Sequence, residues 1–150
     1  MQKNVLIIDD SFTTRRILST AIKSLSLHPE EAKDGFEALQ KLPTKHFDLI
    51  LLDINMPHIN GLEFIQYCKN SQLYKNIPII IISTEDSEED KKRGLSLGAQ
   101  AYLMKPVQPD QIVETVKRVL AHSTPHPLVP PLLPTWERET KGEGEEENQE

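Results

Sequence analysis

Four short runs of apolar residues recur along this chain, and segments with helical spacing separate them. The runs occupy residues 5–8, 49–52, 79–82 and 101–104. Each is continuously apolar rather than alternating, which is typical of a strand buried on both faces of a sheet. With a weaker strand at residues 29–33, the pattern predicts an α/β fold with a five-stranded parallel sheet and helices on both faces.

Apolar residues at helical spacing predict five helices between and after these strands. In chain order they are marked by Ile17, Leu18, Ala21, Ile22 and Leu25; by Ala38, Leu39 and Leu42; by Leu62, Ile65 and Cys68; by Leu95 and Leu97; and by Ile112, Val113, Val116, Val119 and Leu120. Gly98 is the predicted C-cap of the fourth helix. Cys68 is predicted to pack in the core.

Composition divides the chain into a predicted folded domain, residues 1–122, and a predicted disordered tail, residues 123–150. The tail holds 5 of the 11 prolines and a net charge of about −5 (2 basic minus 7 acidic), against about −1 (15 minus 16) for the domain. A segment of this composition has too few apolar side chains to offset the conformational entropy that it would lose on folding. The alternative is that the tail holds a docking motif, formed by its apolar residues Val129, Leu132, Leu133 and Trp136.

Several classes of protein are excluded by the same composition. An acidic tail is not a nucleic-acid-binding arm. No apolar run reaches the ~18 residues of a membrane span, and the amino terminus lacks the features of a signal peptide. The single cysteine excludes an internal disulfide and a Cys-rich zinc site. We therefore expect a cytoplasmic domain without nucleic-acid or membrane partners.

Polar residues follow each of the four strong strands directly. They are Asp9 and Asp10, Asp53, Ser83 with Thr84, and Lys105. Ligands of open parallel sheets bind at the carboxyl ends of the strands, so these groups are expected to meet at one edge.

The chemistry of this set favours phosphoryl transfer assisted by a hard cation. Three carboxylates held together repel one another, and all-oxygen ligation suits Mg²⁺. A carboxylate can also attack phosphorus to give an acyl phosphate, while a metal and a lysine neutralise charge. Taken singly, each residue has an ordinary alternative role. Asp10 or Ser11 would cap a helix, Asp53 would form a turn, and Lys105 would be a solvated charge.

Four motifs in order resemble the response regulator receiver domain of CheY-like proteins. They lie at residues 5–10, 53–63, 82–85 and 98–106, with spacings of 43, 30 and 22 residues from Asp10 through Asp53 and Ser83 to Lys105. The resemblance covers about residues 3–121. It implies the flavodoxin-like strand order 2-1-3-4-5, which is known for this family.

The resemblance also implies residue roles. Asp53 matches the phosphoacceptor, and Asp9 and Asp10 match the acidic pair that binds Mg²⁺, joined by Asp53 and the backbone carbonyl of Asn55. Ser83, with Thr84 beside it, matches the switch hydroxyl, Lys105 the phosphate-contacting lysine and Tyr102 the aromatic that changes rotamer. The Lys105–Pro106 bond matches one that is cis in the family. Asn60 stands where aspartate is frequent.

These matches imply a stand-alone response regulator rather than an enzyme. It would take a phosphoryl group from a sensor histidine kinase, hydrolyse it slowly, and signal in chemotaxis or motility as a monomer or a phosphorylation-dependent dimer. The expected partner surface comprises residues 86–97, 101–105 and 110–121.

Two other functions fit the sequence less well. A magnesium-dependent phosphatase with an aspartyl nucleophile needs a second acid two residues further on, where Asn55 stands, and a cap insertion. A flavodoxin-like carrier needs a phosphate-binding loop after the first strand, where Asp9 and Asp10 would repel phosphate.

Overall fold

The computed structural model describes residues 2–56, 59–84 and 88–122. The strands are Asn4–Ile8 (β1), His28–Ala32 (β2), Leu49–Asp53 (β3), Ile79–Ser83 (β4) and Ala101–Met104 (β5). The helices are Phe12–Ser24 (α1), Gly35–Lys41 (α2), Gly61–Lys69 (α3), Glu88–Ser96 (α4) and Pro109–Ala121 (α5), with a 3₁₀ turn at Leu42–Thr44. The predicted tail, residues 123–150, lies outside the described residues.

All five strands are parallel and follow the order β2-β1-β3-β4-β5, so the predicted fold is confirmed. The weak second strand begins at His28, one residue before its predicted start. Along the part of the chain that the model describes, we find no helix both long and apolar enough to cross a membrane.

Two hydrophobic cores lie on opposite faces of the sheet. Leu6 and Ile8 of β1 join the core under α2 and α3, whereas Val5 and Ile7 join the core under α1 and α5. Successive side chains of a strand point to opposite faces, so burial on both sides requires every residue of the run to be apolar. Cys68 is fully buried in the first core, as predicted, and burial raises the pKa of its thiol to about 12.

The first helix differs from the prediction in one residue of its buried stripe. Leu18, Ala21 and Ile22 are buried against the sheet, but Ile17 is 40% exposed. Position 17 lies one residue, or about 100°, around the helix from Leu18, so its side chain lies at the rim of the core. Ser11 caps the helix by accepting a hydrogen bond from the backbone N–H of Thr14.

Local signals fix the ends of α3 and α4. Asn60 and Glu63 form a reciprocal capping box at the start of α3, which gives Asn60 a structural role that the sequence comparison had not assigned. The predicted C-cap, Gly98, has φ +117° and its N–H donates to the carbonyl of Leu95. This left-handed conformation is one that glycine adopts without strain.

Candidate functional site

The carboxyl ends of four strands bring the predicted polar residues together. Asp9 follows β1, Asp53 and Ser83 end β3 and β4, and Lys105 follows β5. The register pairs Asp53 with Ile82 and Ser83 with Met104, so these ends are level across the sheet.

Lys105 lies between two buried carboxylates. Its Nζ is 2.9 Å from Asp9 Oδ2 and 3.2 Å from Asp53 Oδ2, and the two aspartates are only 1% and 3% exposed. Burial alone would lower the pKa of Lys105, but the two carboxylates outweigh it and raise the pKa above its ordinary value. The lysine is therefore a fixed positive charge at neutral pH.

Asp53 is an electrostatically unfavourable carboxylate. Burial is the main factor that raises its pKa, and the charge of Asp9 adds to it, while the N–H of Asn55 and the ammonium of Lys105 partly oppose the rise. The Asn55 N–H donates to Asp53 Oδ1 over 2.9 Å. This is the turn contact foreseen as an alternative for Asp53, and here it orients a buried acid. A cation bound beside Asp53 would stabilise its ionised carboxylate.

Three carboxylates form a cluster suited to a cation. Asp9, Asp10 and Asp53 each offer an oxygen, and these oxygens all lie within 4.8 Å of one another. Asp9 Oδ1 accepts a hydrogen bond from the N–H of Ser11. Asp9 Oδ2 is buried and, apart from its ion pair with Lys105, has no hydrogen-bond partner among the residues that the structure describes. A buried oxygen with spare acceptor capacity and an all-oxygen donor set fit Mg²⁺.

A hydroxyl lies beside the carboxylates. Ser83 is fully buried, and its Oγ accepts a hydrogen bond of 2.9 Å from Nδ2 of Asn55. The same amide lies 3.5 Å from Oγ1 of Thr84, a weak contact by comparison. Ser83 also accepts the N–H of Lys105 at its carbonyl. Asn55 thus links Asp53 to Ser83, because its backbone N–H donates to Asp53 and its side-chain amide donates to Ser83. The resemblance implied only a backbone role for Asn55.

Tyr102 lies on β5, next to the strand that carries Ser83, and is partly buried against the core shared by α2 and α3. The Lys105–Pro106 bond is cis, as the resemblance implied.

Sequence reasoning missed Arg15, which supports the acidic end of β1. Its Nη1 donates to the carbonyl of Asp9 over 2.6 Å, and its Nε pairs with Glu31 at 3.1 Å. Burial by itself raises the pKa of Glu31, but hydrogen bonds from Ser19 and Arg15 and the charge of Arg16 bring it below its ordinary value. Two glutamates in a half-buried strand were the available signal for this contact.

Residues 5–117 of this chain match the sequence model of a protein family, the response regulator receiver domain. Protein PilG of Pseudomonas aeruginosa is 35% identical over 121 residues, which cover 81% of this chain and 90% of PilG. A gliding motility regulatory protein of Myxococcus xanthus is 43% identical over 101 residues, 67% of this chain but 13% of that protein.

Other relatives are longer than the matched region. The phosphate regulon transcriptional regulatory protein PhoB of Escherichia coli is 31% identical over 83% of this chain, which spans only 55% of PhoB. Among solved structures, the chemotaxis protein CheY4 of Vibrio cholerae has 37% sequence identity and a TM-score of 0.75, covering 79% of this chain and 99% of CheY4.

Proposed function

The chain belongs to the response regulator receiver domain family, and from this premise we propose that it accepts a phosphoryl group on Asp53 from a sensor histidine kinase. The observation that carries the proposal is the buried Asp53 carboxylate, 3.2 Å from the Lys105 ammonium and clustered with Asp9 and Asp10. A nucleophile, a fixed cation and a set of metal-ligating oxygens are the requirements of phosphoryl transfer.

The reaction is an in-line displacement at phosphorus. An ionised Asp53 oxygen forms a bond to phosphorus as the phosphorus–nitrogen bond of the kinase phosphohistidine breaks. The bonding electron pair stays on the imidazole nitrogen, which takes up a proton. Lys105 then exchanges its contact with the Asp53 carboxylate for one with a phosphoryl oxygen.

The acidic residues hold the metal in this proposal. Asp9, Asp10, Asp53 and the backbone carbonyl of Asn55 supply oxygen ligands. Mg²⁺, when bound, neutralises and orients the phosphoryl oxygens. Water attack on the acyl phosphate slowly restores Asp53, so the protein is a signalling phosphoacceptor rather than an enzyme with a separate substrate.

Output is proposed to pass through Ser83 and Tyr102. Ser83 Oγ now accepts from the Asn55 amide, and a phosphoryl oxygen offers the Ser83 hydroxyl a charged acceptor to which it can donate. Movement of Ser83 towards the phosphate leaves room for Tyr102 to turn inward. A protein target then binds one state of the surface formed by α4, β5 and α5, where Leu95 and Met104 are exposed. The gliding motility regulatory protein and the chemotaxis protein CheY4 support a role in motility or chemotaxis, and we propose that this role is cytoplasmic.

Incubation with a small acyl-phosphate donor and Mg²⁺ should add one phosphoryl group per chain, and Asp53→Asn should abolish it. Intact-mass and peptide mass spectrometry measure the product. Asp110→Asn, which changes an exposed aspartate in the first turn of α5, is the matched control and should label like the wild type. Equal labelling of Asp53→Asn, or labelling indifferent to a chelator, would contradict the proposal.

Beryllofluoride bound at Asp53 should change amide hydrogen exchange on the partner surface and spare residues 13–27. The affected described ranges are 88–97, 101–105 and 110–121; residues 86 and 87 lie outside the description. Ser83→Ala should remove the response at Tyr102, and Ser24→Ala, at the far end of α1, should retain it. Changes confined to residues 13–45 would show that output uses another face.

A further inference from the structure

A cavity lies at the amino edge of the sheet, opposite the carboxylate cluster. It measures about 260 Å³ and is formed by the segments that precede β3 and β4, with Pro43, Phe47, Leu73 and Tyr74 among its lining residues. Leu73 is 81% exposed. The ring of half-exposed Tyr67 lies 6.4 Å from that of Tyr74. We call this region the aromatic groove; residues 42, 43, 45–47, 73, 74 and 77 line it, and Tyr67 adjoins it through Tyr74.

The chain carries one segment whose chemistry suits such a groove. Residues 127–136 read Pro-Leu-Val-Pro-Pro-Leu-Leu-Pro-Thr-Trp, which contains two consecutive P-x-x-P repeats. Proline-rich segments of this kind favour the polyproline II conformation and bind aromatic-lined grooves at a low entropic cost. The sequence left a docking motif open here, and the groove supplies a receptor for it.

The end of α5 lies within reach of the groove. Each helix returns the chain to the amino edge of the parallel sheet, so α5 ends at the edge where the groove lies. The helix packs on the opposite face of the sheet from the groove. The chain that follows α5 must therefore cover about two helix diameters, or roughly 20 Å, to reach the groove. Six to ten residues after His122 span roughly 20–30 Å in polyproline II conformation. A chain in that conformation is therefore long enough to bring residues 128–132 to the groove.

Charge favours the same site. Lys45 is paired with Glu30, and His46 faces Asp48. Among the described residues Lys75 has no carboxylate partner, and Lys69 donates only to the carbonyls of Lys75 and Ile77. The groove thus has uncompensated positive charge near it, and the tail carries about −5.

A cavity on the α1 face offers a less favourable place for the tail. It also measures about 260 Å³, and it is lined in part by Ile17, Thr84 and Pro106. Lys105 lines it as well, which places it beside the carboxylates of Asp9 and Asp53. An acidic tail would be repelled there.

We propose that residues 127–136 of this chain dock in its own aromatic groove, with Leu132, Leu133 and Trp136 as apolar anchors. In this arrangement the net negative charge of residues 137–150 is near Lys69 and Lys75. This assigns the groove an occupant and leaves the phosphoacceptor edge and the partner surface free.

Trp136 is the only tryptophan, so its fluorescence reports docking in the full chain. We expect blue-shifted emission. We also expect an acrylamide quenching constant at least about twofold below that of a synthetic peptide of residues 123–150, which corresponds to docking in at least half of the molecules. Leu73→Asp should raise the quenching constant to the peptide value. Met104→Asp, an equally drastic change on the exposed part of β5, should leave it unchanged.

The outcomes separate the possible occupants. Quenching that is the same in wild type, Leu73→Asp and peptide would overturn the proposal. Shielding released by Met104→Asp or Ile17→Asp, but not by Leu73→Asp, would place the segment elsewhere and also overturn it. Shielding lost on dilution would assign the groove to the tail of a second copy. Circular dichroism melts verify that Leu73→Asp is folded, as its exposure leads us to expect.

Discussion

Lys105→Met should lower the free energy of unfolding by about 3 kcal/mol at pH 7, because breaking a buried ion pair leaves uncompensated charge. The lysine is the ammonium paired with both Asp9 and Asp53. Methionine fills a similar volume, so the change removes charge rather than packing. Urea unfolding followed by circular dichroism measures the difference. Lys117→Met, on the exposed side of α5, is the matched control and should change stability by less than about 0.5 kcal/mol.

Two pKa shifts set the pH dependence of this loss: the raised pKa of Lys105 acts at alkaline pH, and the raised pKa of Asp53 acts on the acidic side. A lysine whose folded pKa is raised stabilises the fold below its ordinary pKa, and that stability is lost as pH rises through the raised value. In the variant, the Asp53 carboxyl, whose pKa burial already raises, retains a proton in the folded state that the unfolded state releases. Stability of the variant should therefore fall between about pH 4 and pH 7, and the gap from wild type should widen.

Magnesium should return part of the lost stability, because a cation bound by the three aspartates replaces the missing positive charge. Asp53→Asn in the Lys105→Met background should do the same by removing one of the repelling carboxylates. A loss that is equal at pH 4 and pH 7 and unaffected by Mg²⁺ would show that the cost comes from packing rather than charge.

The sequence predicts the strands and the site well because both depend on order along the chain. An apolar run buried on two faces has few alternatives, and the carboxyl ends of parallel strands must share an edge. The sequence therefore predicts, without any information on side-chain rotamers, that four residues lie together: Asp9, Asp53, Ser83 and Lys105. Residues at strand ends are the part of this site that a linear pattern can locate.

Contacts that depend on rotamers or on non-local packing are absent from the linear pattern. Arg15 meets Glu31 across 16 residues, and the amide of Asn55 meets Ser83 across 28. Neither the helical nor the strand periodicity of the sequence predicts contacts between residues so far apart in the chain. Ile17 matched the helical period yet lies at the rim, because the period locates a face only to within about one residue. The capping box of Asn60 and Glu63, by contrast, was visible in the sequence as a spacing of three.

Gly61→Ala should destabilise the domain by roughly 1–3 kcal/mol, the usual cost of overpacking, and slow phosphorylation. A Cβ at Gly61 would lie 2.3 Å from Cα of Ile54, which is backbone and cannot rotate away. The Gly61 N–H also donates to the Ile54 carbonyl. Ile54 must move, and it lies between Asp53 and Asn55, so the Asp53 carboxylate and the Asn55 amide that contacts Ser83 move with it. Denaturation and acyl-phosphate labelling rates measure the two effects.

Gly94→Ala is the matched control because its contact differs in kind. A Cβ there would lie 2.4 Å from Cδ1 of Ile81, the flexible end of a side chain. Rotation of that side chain relieves the contact, and alanine gains up to about 1 kcal/mol over glycine inside a helix. We expect Gly94→Ala to change stability by less than about 1 kcal/mol and to leave labelling at the wild-type rate. If Gly61→Ala instead matched Gly94→Ala in both measurements, the close approach of α3 to Ile54 would not be what holds Asp53 in position.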